Sequence, residues 1–121
     1  AAVAWSTWEA ATTSLVLDDT HVSEFADPHY ALAFARIENH YFVNHGFMAE
    51  GQLIRNAGRL AAIPTTIVQG RYDMCCPATS AYDLKQALPS ADLRMVLAGH
   101  SAFEPLIASE LVKVCDEYAD L

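Results

Sequence analysis

Apolar residues in the first half of the chain recur at spacings of three and four, whereas those in the second half fall into short runs ended by glycine. The first pattern predicts helices. Trp5, Trp8, Glu9 and Thr12 share one helical face, which projects two indoles and a carboxylate together. A second helix has clearer ends. Asp27 can cap its free amides, Pro28 suits its first turn, and Gly46 is its expected stop beyond the apolar stripe of Tyr30, Phe34, Ile37 and Tyr41. Glu38 lies on the edge of that stripe, four residues from both Phe34 and Phe42. A third, short helix is expected over residues 52–60, ahead of Ile63-Pro64.

From there the period changes. Thr65-Thr66-Ile67-Val68, ended by Gly70, and Leu93-Arg94-Met95-Val96-Leu97, ended by Gly99, are β-rich runs separated by a helical stretch over residues 78–88. This is a β-α-β unit, whose crossover joins parallel strands and delivers both carboxyl ends to one sheet edge. Open α/β sheets carry their sites at that edge. A last helix over residues 104–118 sets Ile107, Leu111, Val114 and Tyr118 on one face to cover the sheet, with Cys115 expected to pack there too. Two parallel strands are few for an independent sheet. The isolated chain is therefore expected to fold poorly or aggregate.

The change of pattern places a boundary near Gly51. The 121 residues suffice for one compact domain or pieces of two, and the opening Ala1-Ala2-Val3-Ala4, helical in style, reads as the middle of a longer protein. With 53% hydrophobic and 18% charged residues the chain has ample apolar surface to bury, which excludes a disordered tail. Its formal charge of -8 repels phosphate backbones and anionic lipid, so neither nucleic acid nor a membrane is an expected partner. Cys75, Cys76 and Cys115 are odd in number and two are adjacent, which argues against a disulfide framework. Cys75 and Cys76 are expected to be buried, inert packing residues, although a bulky adduct there would disturb the neighbouring Asp73. Free thiols and acidic charge make the cytoplasm the expected compartment. His21, His29, His40 and His45 have no coherent ligand spacing, His40 being assigned to structure, and neither a metal nor a cofactor is expected.

Gly70-Arg71-Tyr72-Asp73 follows the first strand and Gly99-His100-Ser101 the second, 27 positions separating the carboxylate from the imidazole. An Asp on one such loop can accept a hydrogen bond from a His on the next, fixing its tautomer and stabilising the imidazolium. Alone, each has an ordinary alternative, the Asp as a turn former and the Gly-His as loop chemistry. Together, in this order and at successive strand ends, they read as the acid and base of a catalytic triad. A G-x-S-x-G nucleophile elbow is lacking, so the nucleophile is expected upstream.

Trp5-Ser6-Thr7-Trp8-Glu9, Ala35-Arg36-Ile37-Glu38-Asn39-His40-Tyr41-Phe42, Gly70-Arg71-Tyr72-Asp73 and Gly99-His100-Ser101-Ala102-Phe103-Glu104-Pro105 together resemble the proline iminopeptidases, or prolyl aminopeptidases, of the α/β-hydrolase superfamily. The resemblance spans nearly the whole chain and implies an α/β fold in which residues 1–50 are part of a helical cap and residues 51–121 the C-terminal part of the catalytic domain. It implies Asp73 as triad acid, His100 as general base, and Glu9 and Glu38 as cap carboxylates that hold the charged amine of an N-terminal proline.

From periodicity alone, Glu9 and Glu38 read as solvated helix-face acids and the neighbouring aromatics as core of the helical part; the resemblance reverses that reading. With the resemblance, a buried secondary ammonium needs carboxylates to offset its lost hydration, and Trp5, Trp8, Phe34 and Phe42 offer walls for a pyrrolidine ring. The implied activity is that of a serine exopeptidase releasing N-terminal proline from peptides through an acyl-enzyme, with this chain alone inactive for want of the nucleophile. The alternatives are another capped hydrolase, such as an esterase or epoxide hydrolase, and a noncatalytic binding protein of the same fold.

Overall fold

In a computed structural model of the chain, which describes residues 1–119, helices fill the first half and a parallel strand pair organises the second. The helices are α1 (Ala2–Thr12), α2 (Asp19–Phe25) and α3 (Pro28–Val43), followed by a 3-10 turn (His45–Phe47), α4 (Gln52–Asn56) and a second 3-10 turn (Ala57–Leu60). Strands β1 (Thr66–Gly70) and β2 (Asp92–Val96) flank α5 (Ala78–Ala87), and α6 (Pro105–Tyr118) follows. None of the described helices is long and apolar enough to cross a membrane.

α3 begins as its sequence predicts. Asp27 Oδ1 accepts the amides of His29 and Tyr30 at 3.0 and 2.8 Å, and Pro28 occupies the first turn. Its end differs from expectation. The helix closes at Val43, and Gly46 sits beyond it in the 3-10 turn at φ 61°, flanked by His45 and Phe47, which also have positive φ. Non-glycine residues pay for that conformation, and here the Phe47 ring packs on His40 and Tyr41 at centroid distances of 5.4 and 5.6 Å.

α2 is absent from the sequence-based expectation, because seven residues are too few to display a period. Asp18 nevertheless starts it, accepting from Thr20 and His21. The expected stripe on α3 splits. Phe34, half-buried, and Tyr30 stack at 5.9 Å with Phe25 against both, whereas Tyr30 itself, Ile37 and Tyr41 are exposed. The reason is that α1 packs on α2 and α3 through small residues. Ser6, Ala10 and Ala31 are the buried positions, and Ser6 Oγ donates to the Phe25 carbonyl at 2.8 Å. Small residues at a contact let helix axes approach closely and leave the large side chains outside it.

The two strands pair in parallel, Thr66 opposite Asp92 through Gly70 opposite Val96. Gly70 is the final ladder residue rather than the stop after it, and Leu97 lies beyond β2. A small core of Ala57, Leu88 and Ala91, with Ile67, Leu84 and Ala87 against it, holds α5 and the second 3-10 turn to the sheet. α6 packs on β1, with Ile107 buried and a 2.8 Å hydrogen bond between Tyr118 and Thr66. Leu111 and Cys115 do not contribute as expected, since both are exposed. Arg94 on β2 also reaches Glu110 at 2.9 Å and Glu117 at 2.6 Å, linking α6 to the second strand. Met74, Leu97 and Phe103 stand open to solvent at 82%, 65% and 90% exposure, so much of the large apolar surface near the strand ends is uncovered in this chain.

Candidate active site

The loops after β1 and β2 are joined to each other by backbone bonds. Arg71 N–H donates to Val96 at 2.8 Å and Tyr72 N–H to Ala98 at 3.0 Å. At Gly70 a methyl group would lie 1.7 Å from the Gly99 carbonyl oxygen, so only glycine permits this approach. The turn then buries Asp73, whose Oδ1 accepts the amides of Cys75 and Cys76 at 2.9 and 2.7 Å. Its Oδ2 lies 3.0 Å from His100 Nδ1. The imidazole is 40% exposed, while its acid partner is 6% exposed. An oriented imidazole with an open side, backed by a dry carboxylate, is the arrangement needed to take a proton from a third group.

Burial by itself would raise the Asp73 carboxyl. The Cys76 amide, His100 and the Cys75 amide together outweigh it and hold the group below the ordinary carboxylate value. Gln69, on β1, supplies a contact that sequence reasoning did not identify. Its Nε2 donates to Asp73 Oδ2 at 3.2 Å and to the Gly70 and Cys76 carbonyls at 3.1 Å each, bracing the acid loop from below. The available signal was an amide side chain directly after the apolar pair Ile67-Val68, at the penultimate position of the strand.

Glu9 and Glu38 also come together. α1 and α3 pack side by side, and Glu9 meets Glu38 closely enough for a carboxyl to donate to its neighbour. Burial, then the charge of Glu38 and that hydrogen bond, push Glu9 above the ordinary value, while His100 is near enough to pull it partly back. All four expected site residues therefore share one region. Trp5 Nε1 donates to Glu38 Oε2 at 2.5 Å and fixes that carboxylate, and the Trp5 and Trp8 rings lie 5.4 Å apart. Among the described residues, no salt bridge engages Glu9 or Glu38. The other two aromatics play different parts. Phe34 belongs to the Phe25 and Tyr30 cluster, and Phe42 shares with Trp5 a groove that neither glutamate lines.

Asp73, Cys75 and His100 offer donor atoms within 4.8 Å of one another, a set that suits a borderline cation such as zinc. Two of those donors are already engaged with each other. Partial burial raises the Cys75 thiol against a hydrogen bond to the Thr12 carbonyl, with the charges of Asp73 and Glu9 adding to the rise; the trio is thus a hydrogen-bonded cluster whose thiol resists ionisation. All three cysteines are exposed, contrary to the expectation of buried packing residues: Cys75 and Cys76 lie on the surface loop after Asp73, and Cys115 lies on an open face of α6.

No protein-family model matches the chain. Curated relatives do. A proline iminopeptidase of Xanthomonas citri is 55% identical over 121 residues, covering 98% of this chain and 39% of the relative. One of Arabidopsis thaliana is 53% identical over 114 residues, 93% of this chain and 30% of the relative, and one of Neisseria gonorrhoeae is 45% identical over 118 residues, 97% and 37% respectively. The chain is thus similar over nearly its full length to proteins of that name, and spans less than two fifths of theirs.

Proposed function

We propose that this chain supplies the acid, the base and the amine-binding carboxylates of a prolyl aminopeptidase of the α/β-hydrolase fold, whose nucleophilic serine lies outside these 121 residues. Residues 1–50 contribute part of its helical cap and residues 51–121 the C-terminal part of its catalytic domain. The observation that carries this reading is the convergence of the Glu9 and Glu38 pair with the Asp73 and His100 pair. Two apposed carboxylates, with Glu9 raised by burial and by its neighbour's charge, favour a cationic guest, because an ammonium between them replaces the proton and relieves their repulsion. The names of the relatives point to the same chemistry.

In the reaction, His100 takes the hydroxyl proton of the serine as its oxygen attacks the carbonyl of the N-terminal proline. Asp73 stabilises the imidazolium through Nδ1. The proton then passes to the departing amine of the second residue, leaving a prolyl-enzyme ester. A water molecule, deprotonated by His100, cleaves that ester, and the proton returns to the serine as proline leaves. Glu9 and Glu38 confine the scheme to a free amine at the chain end, and the indoles of Trp5 and Trp8 offer apolar walls for its ring.

The test is a substrate panel on the full-length protein: proline anilide, its N-acetylated form and a neutral acyl ester. Proline anilide should be turned over and its acetylated form should not. Equal turnover of both anilides would reject the amine-binding role, and activity confined to the neutral ester would assign a different capped hydrolase.

A further inference from the structure

We infer that Glu104 is a positioning residue that ties the helix bearing Glu9 to the loop bearing His100. Glu104 occupies the N-cap of α6, a 14-residue helix, yet makes no side-chain bond to the amides of that helix. Its carboxylate turns away instead. Oε1 accepts the Gly99 amide at 2.7 Å and Oε2 accepts the Leu15 amide at 3.0 Å. One half-buried group thus holds the residue before His100 and the segment leaving α1. Helix N-caps favour side chains that satisfy their own first turn, so spending this carboxylate on two distant amides marks a different duty.

The neighbouring backbone is arranged to the same end. Thr13, which closes α1, donates its amide to the Glu9 carbonyl at 3.1 Å, and its own carbonyl accepts the amides of His100 and Ser101, each at 2.8 Å. Glu9 and His100 are therefore separated by a single residue along a hydrogen-bonded path. Space is tight there as well. A methyl group on Gly99 would lie 2.8 Å from the Leu15 nitrogen and 2.9 Å from Glu104 Oε1. The amide bonds from a charged acceptor are of the stronger kind, and they fix the base relative to the amine-binding acid rather than to the sheet alone.

This inference rests on the proposed function for what Glu9 binds, but its first consequence concerns His100 and is independent of substrate. In the full-length protein, Glu104→Ala removes both acceptors, whereas Glu104→Gln keeps one. Active sites are counted by a fluorophosphonate that labels the serine, so that rates refer to competent molecules. Glu104→Ala should lower kcat for both proline anilide and a neutral ester by about 10- to 100-fold, the scale of a small misplacement of a catalytic group, with Glu104→Gln falling between it and wild type. Combined with Glu9→Gln, its effect on proline anilide should be less than multiplicative, since the two act along one path. An unchanged kcat per labelled site in Glu104→Gln and Glu104→Ala, or a loss confined to KM or to melting temperature, would overturn the inference. If the wild type ignores proline anilide, the function reading fails while the ester still reports on Glu104.

Discussion

Glu9 and Glu38 face each other from α1 and α3 within proton-sharing distance, and burial together with that mutual repulsion raises the proton affinity of Glu9. A carboxyl whose folded value lies above its unfolded one, about 4.3, contributes stability below the unfolded value and loses it as pH rises through the folded one. Glu9→Gln should therefore raise the melting temperature of the full-length protein at neutral pH, and the gain should vanish in acid. In the full-length protein the same substitution should reduce proline anilide turnover. Paired melts and rates read both effects. A lowered neutral-pH melting temperature would contradict the raised carboxyl.

Asp73 gives the opposite sign. Its folded value is depressed, so its contribution is present above the unfolded value, about 3.9, and is lost as pH falls through the folded one. Asp73→Asn should destabilise the full-length protein at neutral pH, with wild type and variant converging in strong acid. It should also lower kcat in the full-length protein by about 10⁴-fold, the scale seen when a triad acid is neutralised.

The hydrogen bond from Trp5 to Glu38 predicts a selective loss. Trp5→Phe retains an aromatic ring but removes the donor. Hydrogen bonds to charged groups contribute about 1.5–3 kcal/mol, so kcat/KM for proline anilide should fall by roughly 10- to 100-fold. Turnover of a neutral ester should stay within about twofold of wild type, since the ester makes no use of the carboxylate that this bond orients. Equal losses on both substrates would place Trp5 in general packing.

Gly70 has no room to grow. Gly70→Ala forces a methyl group onto the Gly99 carbonyl, which is backbone and cannot swing away. The cost should reach about 3 kcal/mol or more, seen as a large fall in denaturation midpoint or as failure to accumulate folded protein. Gly58→Ala, where nothing lies within 4 Å, is the control that should fold normally.

Asp73 and His100 were legible because each follows a glycine at the end of a β-rich run, and a β-α-β crossover allows only one edge for both. Glu9 and Glu38 were different. Helical periodicity assigns each to a face of its own helix but cannot say that the two faces meet, and it was the family resemblance that paired them. The packing seam was misread toward the large aromatics because Ser6, Ala10 and Ala31 carry almost no hydrophobic signal, although they are what the helices touch. Gln69 and Glu104 were missed for a common reason. Both are polar residues whose partners are backbone amides or carbonyls, or a side chain brought close by folding, and no spacing rule encodes such partners.

The contact between Gly70 and Gly99 has a consequence for redesign. Since the two turns interlock at bare backbone, neither can be lengthened or exchanged without dislodging its counterpart, and the pair of loops behaves as one cassette. Under the proposed function, new specificity is to be sought by varying side chains on α1 and α3 while both glycine turns are kept.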